Sequence, residues 1–531
     1  MQFSSLNAWL SPVLAVALIV LPWVNPFAQR PSSMVQPMLV SGACAALLLV
    51  LVALSRMSRQ TLWRAACWAW VLAAAVNAGF ALLQYFDLAA PLDPWVNLPP
   101  TGQVFGNVRQ RNLFATLCVM GLAALAWGVT GWRAVPNQGA SEVRPLWLSR
   151  VGAAAAAMLL GAGLALSCSR TGLLELVLLW LMLGVWRRLQ APSEAPAATW
   201  QVLAWGTATY VLAAWLLPLL TGQEGSSFSR WGDSTGSGRR VIWANVWQLV
   251  LQKPWLGWGW GELGYAHFIT LFEGPRFGEI LDNAHNLPLH LAVTLGLPLA
   301  ALVMALLAAA VYRAQPWRAP DAAQQLAWVV LAVISLHSLL EYPLWHGTFQ
   351  TAAVLCVWYL YGCRVQGLQA KQWLLAAPLE RLALRAAVVA VAVGVLAACG
   401  LAADSYRRVN MLFVPAQFRP AEFADGVALQ RRDVMLFVHQ VSFTRLGVEL
   451  SRDNAKKSLD IASNLLHFNA NHFVVERIIA SLEMLGRHDE AHFYEVRYAA
   501  AFPDKYAEWV AAGRKSTFFI YNLGALNHED H

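Results

Sequence analysis

Apolar residues run along this chain in long blocks, separated by short polar or basic stretches. A membrane-crossing helix needs about 20 mostly apolar residues. Eleven stretches qualify: roughly 9–27, 34–54, 63–86, 112–132, 148–168, 171–189, 200–220, 287–312, 323–340, 344–362 and 382–403. Two polar intervals interrupt them, 87–111 and 221–286. After residue 403 charges become dense and an amphipathic helical period sets in, as in "AKKSLDIASNLLHF". The pattern predicts an all-α, polytopic membrane protein of about 11 spans with a C-terminal helical region. We expect a membrane part over 1–403, with its working loop at 221–286, and a helical domain over 404–531. The first apolar run lacks a basic leader and reads as a retained helix rather than a cleaved signal.

Composition agrees. Of the 531 residues 58% are hydrophobic and only 13% charged, where soluble proteins carry about 25%. The 26 tryptophans suit a chain with many membrane interfaces. The net charge of +8 does not point to nucleic acid, because much of it sits in short loops, where Lys and Arg fix topology. With the N-terminus inside, the inner loops hold fourteen Lys and Arg, whereas the short outer loops hold four: Arg30, Arg109, Arg111 and Arg170. Residues 87–111, 221–286 and the tail then lie outside, which for a bacterial inner membrane means the periplasm. Seven cysteines show neither CxxC nor CxxH spacing, so neither a zinc site nor a disulfide framework is expected.

In the tail, "LHFNANHF" and "AAFPDKYA" recur 34 residues apart, from Phe468 to Phe502. "LEMLGRHDEA" resembles the joint of a tetratricopeptide repeat, whose period is about 34. One or two such repeats rarely stand alone, so this region is expected to pack on something else.

Ionisable residues at the outer membrane face invite functional readings, because burying them is costly. Arg170 lies in "SCSRTG", a tight turn between two spans; it either snorkels to headgroups or serves a ligand. Glu175, five residues on, is expected to pair with Arg170 or another cation. Arg239 and Arg240 open "GRRVIWANVWQLVLQ", an apolar-faced helix expected to lie in the interface. A headgroup anchor is the simpler reading, yet a helix N-terminus with two arginines also attracts anions. The "GWGWGE" that follows is no P-loop, since no Gly-Lys-Ser/Thr accompanies it.

"LDNAHNLPLHLAVTLGLP" places His285 just ahead of an apolar helix, with Asn286 as a cap and Pro288 in the first turn. His290 need not share its face. A lone histidine is more often structural, but an imidazole at the water–lipid border accepts a proton near pH 7. In "LHSLLEYPLWHG", His337 and Glu341 share a helix face; they either pair structurally or contact substrate. "GQVFGNVRQRN" adds Gln103, Asn107, Arg109, Gln110, Arg111 and Asn112, a polar approach suited to sugar or phosphate. No DxD and no metal-spaced cluster appears, so a diphosphate would have to be neutralised by arginine forks.

With these motifs in order, the chain resembles the Wzy/WaaL/PglL superfamily of O-antigen polymerases, O-antigen ligases and protein O-oligosaccharyltransferases. "FGNVRQRNLFA", "SRTG", "GRRVIWANVWQLVLQKPWLGWGWGEL", "DNAHNLPLHLAVTLGLP" and "LHSLLEYPLWHGTF" place it nearest the PglL-type pilin branch. The resemblance implies transfer of a preassembled glycan from undecaprenyl pyrophosphate to Ser or Thr hydroxyls of periplasmic or pilin-like proteins. From the missing metal motifs, no cofactor and no metal is expected. His285 would be the general base. Arg170 and Arg239 or Arg240 would hold the pyrophosphate, and direct displacement would invert the anomeric centre. Asn286 and Gln110 would orient the base or the sugar, while Arg109, Arg111, Asn112, His337 and Glu341 would support or contact substrate. Two alternatives stay open. One is O-antigen ligation onto lipid A–core. The other is a lipid-linked glycan flippase or transporter, which would need no base but would carry repeats and midplane polar groups that the spans lack.

Overall fold

The computed structural model describes residues 2–28, 31–55, 57–99, 103–131, 150–189, 197–221, 236–375, 378–423 and 436–514. Arg30 and Arg56, and residues 222–235 of the predicted loop, lie outside them. Among the described residues there is no strand. The helices are α1 Gln2–Val24, α2 Val35–Leu54, α3 Arg59–Tyr85, α4 Arg111–Gly131, α5 Arg150–Leu166, α6 Arg170–Leu189 and α7 Ala197–Thr221. Then come α8 Gly236–Gln252, α9 Leu263–Ile269, α10 Leu287–Leu295, α11 Leu297–Ala314, α12 Ala322–Ser338, α13 Gly347–Leu375 and α14 Pro378–Leu412. The tail adds α15 Val438–Arg445, α16 Ala455–Phe468, α17 His472–Met484, α18 His488–Ala501 and α19 Pro503–Ala511. Each apolar stretch predicted from sequence carries a helix. Among the described residues six, α2, α3, α4, α7, α11 and α14, are long and apolar enough to cross a membrane. The protein is all-helical and polytopic.

The chain forms two compact units. The first comprises residues 1–28, 34–233 and 310–399. Its core is a continuous apolar cluster of α1, α3, α4, α5, α6, α7, α12 and α13, with Trp63 stacked on Tyr359 at 4.4 Å. Three buried amides fasten the polar residues 95–99 and 103–107 to α1 and α3. Asn77 Oδ1 accepts from Asn107 N at 2.8 Å, and Gln84 Oε1 accepts from Phe105 N and Gly106 N. Asn107 Nδ2 donates to the carbonyls of Val24 and Trp95, both at 2.9 Å. The described residues of this segment make no helix or sheet ladder of their own, so these side chains satisfy part of their backbone instead. Gly106 sits at φ +59°, where an added Cβ would fall 2.7 Å from Asn77 Oδ1.

The second unit comprises residues 29–33, 234–309 and 400–531. Here the predicted eighth span is broken. α10 ends at Leu295, Gly296 turns at φ +85°, and α11 starts afresh with Pro298 in its first turn. Nine residues of α10 span about 14 Å, half of what the hydrocarbon core requires. The "GWGWGE" turn explains the break. Trp258 N donates to Val293 O at 2.8 Å, Gly259 N to Thr294 O at 3.0 Å, and Leu297 N to Pro254 O at 2.7 Å. A neighbouring backbone thus takes up groups that a continuous helix would satisfy itself. A Cβ on Gly296 would lie 2.2 Å from Trp255 O.

In the tail, α16 with α17 and α18 with α19 form helix pairs joined by short turns, packed around Leu459, Leu465, Val475, Ile478 and Tyr498. The expected packing partner is α9. Phe268 is buried in the tail's core, Tyr265 stacks on His467 at 3.9 Å, and Arg497 Nε donates to Ile269 O at 2.8 Å.

Candidate active site

His285 stands at φ +50°, in the left-handed region that non-glycine residues enter rarely. Its backbone N–H donates to Asn283 Oδ1 at 2.9 Å, and this Asx turn pins the conformation. Asn286 then turns extended and caps α10, its Oδ1 accepting from Leu289 N at 3.0 Å. Pro288 lies in the first turn, where its missing N–H costs nothing. Turn and cap together leave the His285 side chain half-buried at the head of α10. His290 is different. It is buried, with the Trp260 ring meeting it edge-on at 5.9 Å. Burial, then the neighbouring His285, hold its pKa down to about 4, so it is neutral at pH 7. Within the motif, His290 belongs to the packing and His285 is presented.

Arg239 and Arg240 lie in the first turn of α8, the former half-buried and the latter exposed. α8 packs against α10 and α9 through Ile242, Val246, Leu249 and Val250. Buried Asn245 of α8 secures the loop between α9 and α10. Its Nδ2 donates to Pro275 O, and its Oδ1 accepts from Phe277 N, both at 3.0 Å. Arg276 donates to the carbonyls of His267 and Thr270 at 2.7 and 2.8 Å. Burial, then Arg276, depress His267 to about 3. Beside Asn286 opens an apolar groove of about 510 Å³, walled by Trp243 and Trp247 on one side and Leu289, Ala292, Leu297 and Met304 on the other.

The remaining predicted residues lie in the first unit. Arg170 is the first residue of α6, half-buried. Ser169 caps that helix: its Oγ accepts from Gly172 N at 3.1 Å and donates to Asn112 Oδ1 at 2.7 Å. Asn112 Nδ2 donates to Glu341 Oε1 at 3.2 Å, so one amide bridges the start of α6 and the turn that follows α12. One turn along α4, Thr116 Oγ1 lies 2.8 Å from Glu175 Oε1 and 2.7 Å from His337 Nδ1. Thr116, Glu175 and His337 are fully buried. The cation expected beside Glu175 is therefore His337, at 3.6 Å, when that ring is protonated. Arg109 donates to Asn25 O at 3.2 Å, and burial lowers its pKa to about 10. Gln110 is half-buried and Arg111 exposed. Sequence reading missed Thr116 and Ser169; the available signal was a hydroxyl one helical turn from Asn112 inside an apolar run. Among the described residues no His, Cys, Asp or Glu cluster is arranged to hold a metal ion.

Comparison with known proteins bears on the same segments. The family model of the O-antigen ligases matches residues 155–304, and that of the C-terminal region of virulence-factor membrane-bound polymerases matches 325–517. A protein glycosylation ligase model matches 104–127, the amide-fastened segment and the first part of α4. The ComP-specific O-oligosaccharyltransferase of Acinetobacter baylyi is 31% identical over 108 residues, 20% of this chain and 20% of that protein. The general O-oligosaccharyltransferase of the same organism is 28% identical over 119 residues, 22% of this chain and 20% of that one. The chain thus matches about a fifth of the length of these curated relatives. Family matches, motif order and helical architecture agree with one another: over the matched segments the chain is similar to the O-antigen ligases and the protein glycosylation ligases.

Proposed function

We propose that this protein is an O-oligosaccharyltransferase of the bacterial inner membrane. It moves a preassembled glycan from undecaprenyl pyrophosphate to Ser or Thr hydroxyls of a periplasmic, pilin-like protein. The observation that carries the reading is His285, held in a left-handed turn and presented at the head of a capped helix within the O-antigen ligase match. Strained non-glycine conformations persist where the surroundings impose them and cluster at functional sites. A serine hydroxyl is a poor nucleophile at neutral pH. His285 takes its proton as the oxygen attacks the anomeric carbon, the bond from that carbon to the phosphate oxygen breaks, and the centre inverts. Arg170 and one of Arg239 and Arg240 hold the diphosphate and stabilise its growing charge. Asn286 and Gln110 orient base or sugar. The apolar groove beside Asn286 supports a polyisoprenoid donor, because its walls offer Trp, Leu and Met to a hydrocarbon chain. The names of the relatives support a protein acceptor. Positive-inside asymmetry supports a cytoplasmic N-terminus and a periplasmic working face.

His285→Ala tests the reading. Loss of a general base costs typically 10²–10⁴-fold in rate. Transfer should fall by that factor while expression and donor binding stay near wild type; near-normal transfer would remove His285 from the mechanism.

A further inference from the structure

The buried polar network of the first unit lies where α4 and α6 begin and α12 ends. A hydroxyl carries one proton and two lone pairs. Thr116 Oγ1 meets the Asn112 carbonyl at 3.0 Å, a Glu175 oxygen at 2.8 Å and His337 Nδ1 at 2.7 Å. It therefore donates once and accepts from another member. His337 and Glu175 are 3.6 Å apart, too far for a direct hydrogen bond, so Thr116 is the bridge between them. The same residue holds the first turn of α4, where the Asn112 amide points one end at Ser169 and the other at Glu341. Ser169 in turn caps α6 directly ahead of Arg170.

Such a network is expensive merely to hold helices together. Buried ionisable groups are often replaced by apolar ones without loss of stability. Here the cost is retained: Glu175 Oε2 is buried without a hydrogen-bond partner among the described residues. What the network fixes is the direction of three helix ends, one of which carries Arg170. We propose that Thr116, with Asn112 and Ser169, positions Arg170 for the donor's diphosphate. This rests on the transferase reading above. These are positioning residues, acting through the α6 cap, and displacements of about 1 Å at such a site can cost 10²-fold.

The test uses the full chain in nanodiscs, with undecaprenyl diphosphate as binding probe and transfer kinetics alongside. Thr116→Val keeps the shape and removes the hydroxyl; Thr116→Ser keeps the hydroxyl. The expected result is diphosphate binding and donor KM each worse by about tenfold in Thr116→Val, within about twofold of wild type in Thr116→Ser, with acceptor KM unchanged in both. Should Thr116→Val fold poorly, Ser169→Ala, which removes the cap and its hydrogen bond to Asn112, carries the same expectation. Equal impairment of the Val and Ser variants, a change confined to acceptor KM, or wild-type binding by Thr116→Val overturns the proposal. So does a wild-type protein that binds no lipid diphosphate. A wild type that binds it but transfers no glycan contradicts the function proposed above, while the binding comparison still decides the role of Thr116.

Discussion

Two buried histidines of the second unit make a pH prediction at the scale of single residues. His267 and His290 have folded pKa values of about 3 and about 4, depressed chiefly by burial. Unfolded, each would titrate near 6.5. Their stabilising contribution is thus complete above about pH 6.5 and is lost as pH falls toward the folded values. At pH 5 each should cost about 2 kcal/mol relative to pH 7. Melting of the purified protein from pH 7 to 5 should show that slope, and His267→Gln should flatten part of it. A slope identical in variant and wild type would contradict the assignment. The place of His285 at the head of a helix was legible in the sequence because it stands at a polar-to-apolar boundary beside a proline and a capping asparagine. Thr116 and Ser169 were not, because small hydroxyl residues in apolar runs usually bond their own helix and leave no periodic trace. The roles of Asn77, Gln84 and Asn107 were hidden for another reason: an amide's partners lie far away in sequence, and only the fold brings them within reach.

Among the elements, each apolar stretch read from hydropathy carries a helix, but the stretch that follows His285 carries two. Hydropathy took 287–312 as one helix because Gly296 and Pro298 barely disturb a window average. The break depends on a positive φ and on backbone contacts with Trp255–Gly259, neither visible to composition. Gly296→Ala should therefore be costly, with strain at φ +85° added to collision with the Trp255 carbonyl. We expect destabilisation of about 3 kcal/mol and, in protein that still folds, transfer lowered by at least about tenfold through displacement of the α10 head. Melting and transfer at wild-type levels would show that the break does not position His285. The tail behaves as an element of the same unit. Because α9 supplies Phe268 to its core, deleting the tail would strip the loop's own packing as well as any acceptor surface. Point variants on the exposed tail faces are the cleaner probes of acceptor binding.

For the whole molecule, the class followed from a bulk property, 58% hydrophobic residues, while the lopsided distribution of Lys and Arg predicts an orientation. Neither needs side-chain detail, and the all-helical architecture agrees with the class. Acceptor choice is not written at that scale, since ligation to lipid A–core and to protein would use the same base and the same diphosphate clamp. The deciding measurement is transfer by the purified full chain, supplied with undecaprenyl-pyrophosphate-linked glycan, a pilin-like protein and lipid A–core together, in the presence of EDTA. The account predicts that intact mass of the protein acceptor rises by one whole glycan, that chelation leaves the rate unchanged, and that His285→Ala abolishes the shift. An unchanged acceptor mass, with the glycan recovered on lipid A–core or left on its donor, would contradict it.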